Sequence, residues 1–254
     1  TTESNRFSSR SITMRKLIIA QARMASTRLP GKVMKIVCGK PLLEHFINRL
    51  KRVKSADQIV IATTINDIDN QIVDLCKKLD ISYYRGSEED VLGRYYEAAV
   101  EYGGDIIIRI TSDCPVIDPE VVDSLINFYT NNIEKYDYVS NTLKRTYPQG
   151  MDSEIISFDT LKEAHFNAYD PFDREHVTLF IRNRPTQYRR HNIKYSSDLS
   201  RYRLTVDTSE DMELIRRIFE SLYVENPEFT MKDILSKMAA NPDWIKINSH
   251  VKQR

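Results

Sequence analysis

Glycine is scarce in this chain, at 7 residues in 254. None of them form the GxGxxG loop of dinucleotide-binding proteins, and no GxxxxGK[ST] run is present, so the two familiar glycine-rich phosphate loops are excluded. Cysteine is scarcer still. Cys38, Cys76 and Cys114 are odd in number and lack CxxC spacing, which argues against a disulfide framework and a zinc site and suits a reducing, cytoplasmic setting. A large excess of one charge is also missing. The net charge is +1, whereas a nucleic-acid binder shows a basic excess or stripe; a local basic cluster can still hold a small anion. Long apolar runs are missing too: "RKLIIAQA" is too short and too soon interrupted for a signal peptide or a membrane span.

What is present is the composition of a globular protein, with 41% apolar and 29% charged residues. The length suits one large α/β domain or a domain plus a small appendage. Residues 1–14, polar and rich in Ser and Thr over "TTESNRFSSRSIT", read as a flexible leader. Strand and helix patterns then alternate. Apolar stretches at 16–22, 58–64, 81–85 and 105–111 read as strands. Helical spacing follows each, at 41–53 with Pro41 in its first turn, at 67–79, from Ser87–Asp90 as a capping box, and from Asp118-Pro119 as N-cap and N1 through about 129. Repeated βα units predict a Rossmann-like α/β fold, a mostly parallel sheet with helices on both faces. Residues 136–141, 151–158 and 187–193 alternate like more exposed strands, with helices near 159–168 and 173–183. A strand at 201–207, a helix after it and a last helix near 230–241 complete the pattern. The expected organisation is one domain over 15–245, with 140–200 as an extension for an acceptor site or dimerisation, and a polar tail at 246–254.

In open parallel sheets ligands bind beyond the carboxyl ends of the strands, where strand order reverses. A doubly wound start gives the order 3-2-1-4 and places that point between strands one and four. The loop "ARMASTRLPGK" leaves strand one and "TSDCPVIDP" leaves strand four, so Arg23, Arg28 and Lys32 should face Asp113. Ala25, Ser26 and Thr27 are small enough for close backbone approach, and Pro30-Gly31 turns the chain before Lys32. By composition the loop is equally a solvated basic turn; its position favours a function. Asp207 ends a predicted strand, and it too has an ordinary reading, as the lead into a helix capped by Thr208 and Asp211. Two carboxylates beside a cationic loop suit Mg²⁺ and phosphates, hence phosphoryl or nucleotidyl transfer.

"ARMASTRLPGK" followed by "GKPLLEH" resembles the opening motif of the CMP-sugar synthetases, cytidylyltransferases that activate acidic sugars. "RGSEEDVLGRYYEAA", "RITSDCPVIDPEVVD", "DREHVT" and "RLTVDTSEDMELI" resemble the subgroup typified by spore coat polysaccharide biosynthesis protein F, and the likeness spans nearly all of 15–225. It implies that Arg23, Ser26 and Lys32 hold the triphosphate of CTP, that Arg28 supports the loop, and that Asp113 and Asp207 coordinate Mg²⁺. It also implies CMP transfer to an acceptor, with pyrophosphate leaving, and a homodimer. Relatives that act on 3-deoxy-manno-octulosonate carry Gln where this chain has Thr111, counted here among the nucleotide-binding residues, and a Gly-Thr-Asp-Arg run where it has "GSEEDV". Arg85 and the 86–90 loop with Asp90 are candidates for base or ribose contact, or simply a strand end and a helix cap.

Acceptor-binding candidates are Gln149, Asp152 and Glu154 in "YPQGMDSE", and Arg174 and His176 in "DREHVT". Arg189 and Arg190 are either further anion contacts or a charged strand edge. Arg109 either reaches the phosphates or pairs with an acid. Two other functions share these features. A nucleotide-sugar glycosyltransferase usually carries Asp-x-Asp at a strand end, but Asp113-Cys114-Pro115 lacks the second acid. A non-catalytic nucleotide-binding assembly protein would bind CTP without turnover.

Overall fold

The computed structural model describes residues 13–252, and most of the expected leader lies outside them. Seven strands form one sheet. They are β1 (Lys16–Gln21), β2 (Gln58–Thr64), β3 (Ser82–Gly86), β4 (Ile106–Thr111), β5 (Tyr138–Ser140), β6 (Glu154–Ser157) and β7 (Arg190–Asn192). The order is β3-β2-β1-β4-β6-β5-β7. Strands β3, β2, β1 and β4 are parallel, and β6 lies antiparallel to both β4 and β5. The predicted 3-2-1-4 order is therefore observed, with β1 and β4 flanking the switch point.

The helices are α1 (Leu42–Leu50), α2 (Asn70–Lys78), α3 (Val91–Tyr102), α4 (Pro119–Asn131), α5 (Phe158–Asn167), α6 (Pro171–Glu175), α7 (Leu179–Arg182), α8 (Ser209–Leu222) and α9 (Met231–Ala240). Strand β1 explains why they cover both faces. Its Ile18 and Ala20 enter the core beneath α1, α4 and α8, while Leu17 and Ile19 enter the core beneath α3 and α5. Successive side chains of a strand point to opposite faces, so a strand covered on both sides is apolar throughout. Each fully buried Leu or Ile contributes about 1.5–3 kcal/mol, which fixes the register of this central strand.

Several boundaries move, each for a local reason. Asp90, not Ser87, caps α3: its carboxylate accepts from the Gly93 N–H at 2.8 Å, and the Ser87 hydroxyl accepts from the Asp90 N–H at 3.2 Å. Helix α1 begins at Leu42, with Pro41 as its N-cap in extended conformation. The single helix expected at 173–183 is two short ones, separated by Val177 at φ 53°. A β-branched residue adopts that conformation only when its surroundings hold it, and Val177 is buried in the α3-side core.

No strand forms at 201–207. The free edge of β4 is taken by β6, so this segment instead runs across the strand ends. Its backbone bonds go to Gln149 and to Asp113: Leu204 N–H to Gln149 O at 2.7 Å and Val206 N–H to Asp113 O at 2.8 Å. A final 3₁₀ turn, Pro242–Ile247, crosses the boundary expected at 245, and Asn248 beyond it is buried.

Candidate active site

A cleft of about 1200 Å³ opens at the switch point. Its walls include Arg23, Ser26, Arg28, Lys32, Asp113 and Asp207, which lie up to 184 positions apart in sequence. The cationic loop owes its shape to buried bonds. Asp69, nearly inaccessible, accepts from the Met24 N–H at 2.7 Å and from the Thr64 hydroxyl, tying the loop to the end of β2. The Met24 carbonyl accepts from Ser26 N–H at 3.0 Å and from Gly31 N–H at 2.9 Å, closing the loop, and Gly31 takes φ 68°, which glycine adopts at no steric cost.

The two carboxylates share one cation. Lys32 Nζ lies 2.8 Å from Asp207 Oδ1 and 3.7 Å from Asp113 Oδ2, and it donates to the Val206 carbonyl at 2.7 Å. Arg28 approaches Asp207 Oδ2 at 3.2 Å and Arg203 approaches it at 3.0 Å. Burial alone would raise the Asp207 carboxyl; Lys32, Arg28 and Arg203 more than offset this and hold it below its usual value. Asp113 accepts from the Thr111 hydroxyl at 2.5 Å, so Thr111 orients a carboxylate from inside the cleft wall.

Arg203 escaped the sequence reading. It is 4% exposed and is clamped by Asp211, which accepts from Arg203 Nε at 2.8 Å and Nη2 at 2.9 Å. Asp211 also completes the predicted capping box with Thr208. It therefore does two jobs, as helix cap and as anchor of the arginine that presents Asp207. Gln149 joins the same group by accepting from Arg203 Nη1 at 3.0 Å. The Arg203-x-x-x-Asp207-x-x-x-Asp211 spacing was visible, but it signals proximity only in a helix, and 203–207 is not helical.

A second charged group lines the cleft beyond β4. Arg109 bonds Glu154 at 2.5 Å and Gln21 at 3.1 Å. Glu154 also accepts from Tyr138 OH at 2.5 Å and from the Thr178 hydroxyl at 2.6 Å, while Arg182 Nε stands 3.9 Å away. Burial pushes the Glu154 carboxyl up, and Arg109, Arg182 and the two hydroxyls hold it below the ordinary glutamate value. Asp152 is held in a fork by Arg145 at 2.5 and 2.7 Å. His176 reaches the cleft wall as well.

Three expected site residues stand apart from the cleft. Arg174 forks onto Asp90 at 2.8 Å twice and donates to the His165 and Ala168 carbonyls, so its donors are spent joining α6 to the cap of α3. Asp90 is committed to the same contact and to the Gly93 N–H. Arg85 is a strut: it donates to the Thr64 and Asn66 carbonyls at 2.9 Å and to Asn70 at 2.7 Å. Arg189 pairs with Asp137 on the surface, and Arg190 donates to the Arg182 carbonyl. The strand-edge reading holds for that pair.

The cytidylyltransferase family model matches residues 17–234. An uncharacterised protein of Methanocaldococcus jannaschii is 37% identical over 95% of this chain and 97% of its own length. Spore coat polysaccharide biosynthesis protein SpsF of Bacillus subtilis is 34% identical over 89% of this chain and 95% of its own. A solved cytidylyltransferase structure from Leptospira borgpetersenii superposes with a TM-score of 0.88 at 32% identity, over 95% of this chain and 99% of that one.

Proposed function

The chain belongs to the cytidylyltransferase family, and we propose that it transfers CMP from CTP to a sugar-like or acidic acceptor, with Mg²⁺ and with release of pyrophosphate, in the synthesis of a surface polysaccharide. The observation that carries this reading is the Lys32 ammonium lodged between Asp113 and Asp207. A cation already stands between two carboxylates of the cleft wall, and their hard oxygens fit Mg²⁺, which takes one or two carboxylates with substrate phosphates and water. Bound to Asp113 and Asp207, Mg²⁺ would neutralise charge on the phosphoryl oxygens.

The chain's own groups do the remaining work. Arg23, Ser26 and Lys32 bind the triphosphate, and Arg28 steadies the loop and the Asp207 side. Lys32 and Arg28 offset carboxylates that would otherwise repel an anionic nucleotide, and these fixed cations stabilise charge that builds on the leaving pyrophosphate. Arg203 holds Asp207 in orientation. Gln149, Asp152, Glu154 and His176, with Arg109 and Arg145, form the acceptor end of the cleft, where an acceptor hydroxyl attacks the α-phosphorus. The name of the Bacillus subtilis relative supports a surface-glycan product. The reading places the enzyme in the cytoplasm, consistent with three free thiols, as a homodimer joined through the 140–200 extension.

The test is pyrophosphate release with each of four nucleoside triphosphates and Mg²⁺ across a panel of sugar and sugar-acid acceptors. CTP should be used in preference to the others, and failure to bind CTP with Mg²⁺ sinks the assignment. Asp113→Asn should abolish turnover with the unfolding midpoint preserved; normal turnover in that variant removes the metal role.

A further inference from the structure

Arg94 is the anomaly of the cleft. It lies on α3, lines the cleft, and is 2% exposed. Its Nε and Nη1 are sealed from solvent without a hydrogen-bond partner, and among the described residues no carboxylate lies within 4.0 Å of the guanidinium. An arginine buried in this way costs stability, since a charge removed from water normally regains its hydrogen bonds inside the protein. Every other arginine discussed above has an acidic or carbonyl partner.

The surroundings are built to accommodate it. Gly86 ends β3 against the Arg94 stem: a Cβ there would come within 2.8 Å of Arg94 Cγ and 3.1 Å of Tyr84 Cε1. The charged side chains whose fields act on Arg94 are Arg23, Asp69 and Glu88, and burial and Arg23 both disfavour its charge. Glu88 is engaged elsewhere, with Arg23 at 3.2 Å and Asn66 at 2.6 Å. The contact with Gly86 and the nearby Glu88 and Asp69 place Arg94 at the β3 end of the cleft.

We infer that Arg94 reads the nucleobase, donating to the adjacent O2 and N3 acceptors of cytosine. The inference rests on the CTP reading above and moves the base contact from Arg85, whose donors are spent, to Arg94. A guanidinium offers donors only. Cytosine presents acceptors at both O2 and N3, whereas uracil carries a proton at N3 and would set donor against donor. A site whose buried donors go unpaired rejects the wrong ligand far more strongly than one that merely fits poorly. The phosphates already have Arg23, Lys32 and the loop backbone, which leaves Arg94 for an uncharged acceptor edge.

Equilibrium binding of CTP, UTP and inorganic tripolyphosphate, each with Mg²⁺, to the wild type, Arg94→Met and Gly86→Ala provides the test. Gly86→Ala displaces the guanidinium without deleting it, and serves if Arg94→Met does not fold. Both variants should lose about 10- to 100-fold of the CTP-over-UTP preference, the worth of hydrogen bonds to a charged group. Tripolyphosphate affinity should be unchanged, and Arg94→Met should unfold at a higher temperature than the wild type without nucleotide. An intact CTP-over-UTP preference in both variants overturns the base-reading role and leaves the cytidylyl assignment standing. Equal loss of CTP and tripolyphosphate binding makes Arg94 a phosphate ligand and also overturns it. A wild type that binds CTP no better than UTP refutes the parent reading.

Discussion

Asp211→Asn isolates the energetic centre of the site. Asp211 is fully buried and accepts five hydrogen bonds: Oδ1 from Arg203 Nε at 2.8 Å and Asn248 Nδ2 at 2.9 Å, Oδ2 from Arg203 Nη2 and Asp207 N–H at 2.9 Å and Thr208 N–H at 3.1 Å. Asparagine keeps the shape but only one oxygen. Whichever way its amide turns, the NH₂ faces at least two donors, and Arg203 loses the carboxylate that neutralises it. Breaking a buried ion pair from one side costs about 3–5 kcal/mol. Asp207 still holds Arg203 Nη2 at 3.0 Å, which points to the lower end, about 3 kcal/mol. For a chain of this size that lowers the melting temperature by about 6–12 °C. Urea unfolding should show a lower midpoint with an unchanged slope. The double variant Arg203→Met/Asp211→Leu should regain much of the stability, because an apolar pair can replace a buried ion pair. It should not regain turnover, because Asp207 loses the arginine that orients it. A loss below about 1 kcal/mol for Asp211→Asn, or full turnover in the double variant, would refute the reasoning.

Two further predictions follow from the charge arrangement. The Asp207 carboxyl is held below its ordinary value of 3.8 in the fold, burial notwithstanding, by Lys32, Arg28 and Arg203. A lowered folded pKa gives stability that is fully present above the unfolded value and lost as pH falls through the folded one. Urea midpoints should therefore fall below about pH 4, more steeply in the wild type than in Asp207→Asn; parallel profiles would remove the coupling. Arg174→Met should cost about 1.5–3 kcal/mol through loss of the fork onto Asp90, with CTP affinity unchanged, as read by thermal shift and nucleotide titration. A lost CTP affinity at wild-type stability would return Arg174 to the cleft.

Local patterns and general topology rules brought out the sheet and half of the site. Short apolar runs alternating with 3.6-residue periodicity identified β1 to β4, and a doubly wound start implied their order, so the meeting of Lys32 with Asp113 was legible in advance. The Thr208–Asp211 cap was legible too, because it spans four residues. Long-range charge pairing was not. Arg174 and Arg85 carry the same donors as Arg28, and only the folded chain shows that the first two are spent on Asp90 and on backbone carbonyls. Arg203 looked like one member of an alternating strand, yet β6 had taken the edge that such a strand would need, and Arg203 turned instead to Asp211.

Residue spacing and chain connectivity were enough for the parallel core, the switch point and the cationic loop opposite a strand-end carboxylate, because these follow from local pattern and the covalent chain. Tertiary structure decided which arginines remain available. That depends on what lies within 4 Å in space, and a guanidinium's partner can stand 84 residues away, as with Arg174 and Asp90. It also left Arg94 Nε and Nη1 buried without a hydrogen-bond partner among the described residues, an arrangement that becomes visible only once every neighbour has been placed.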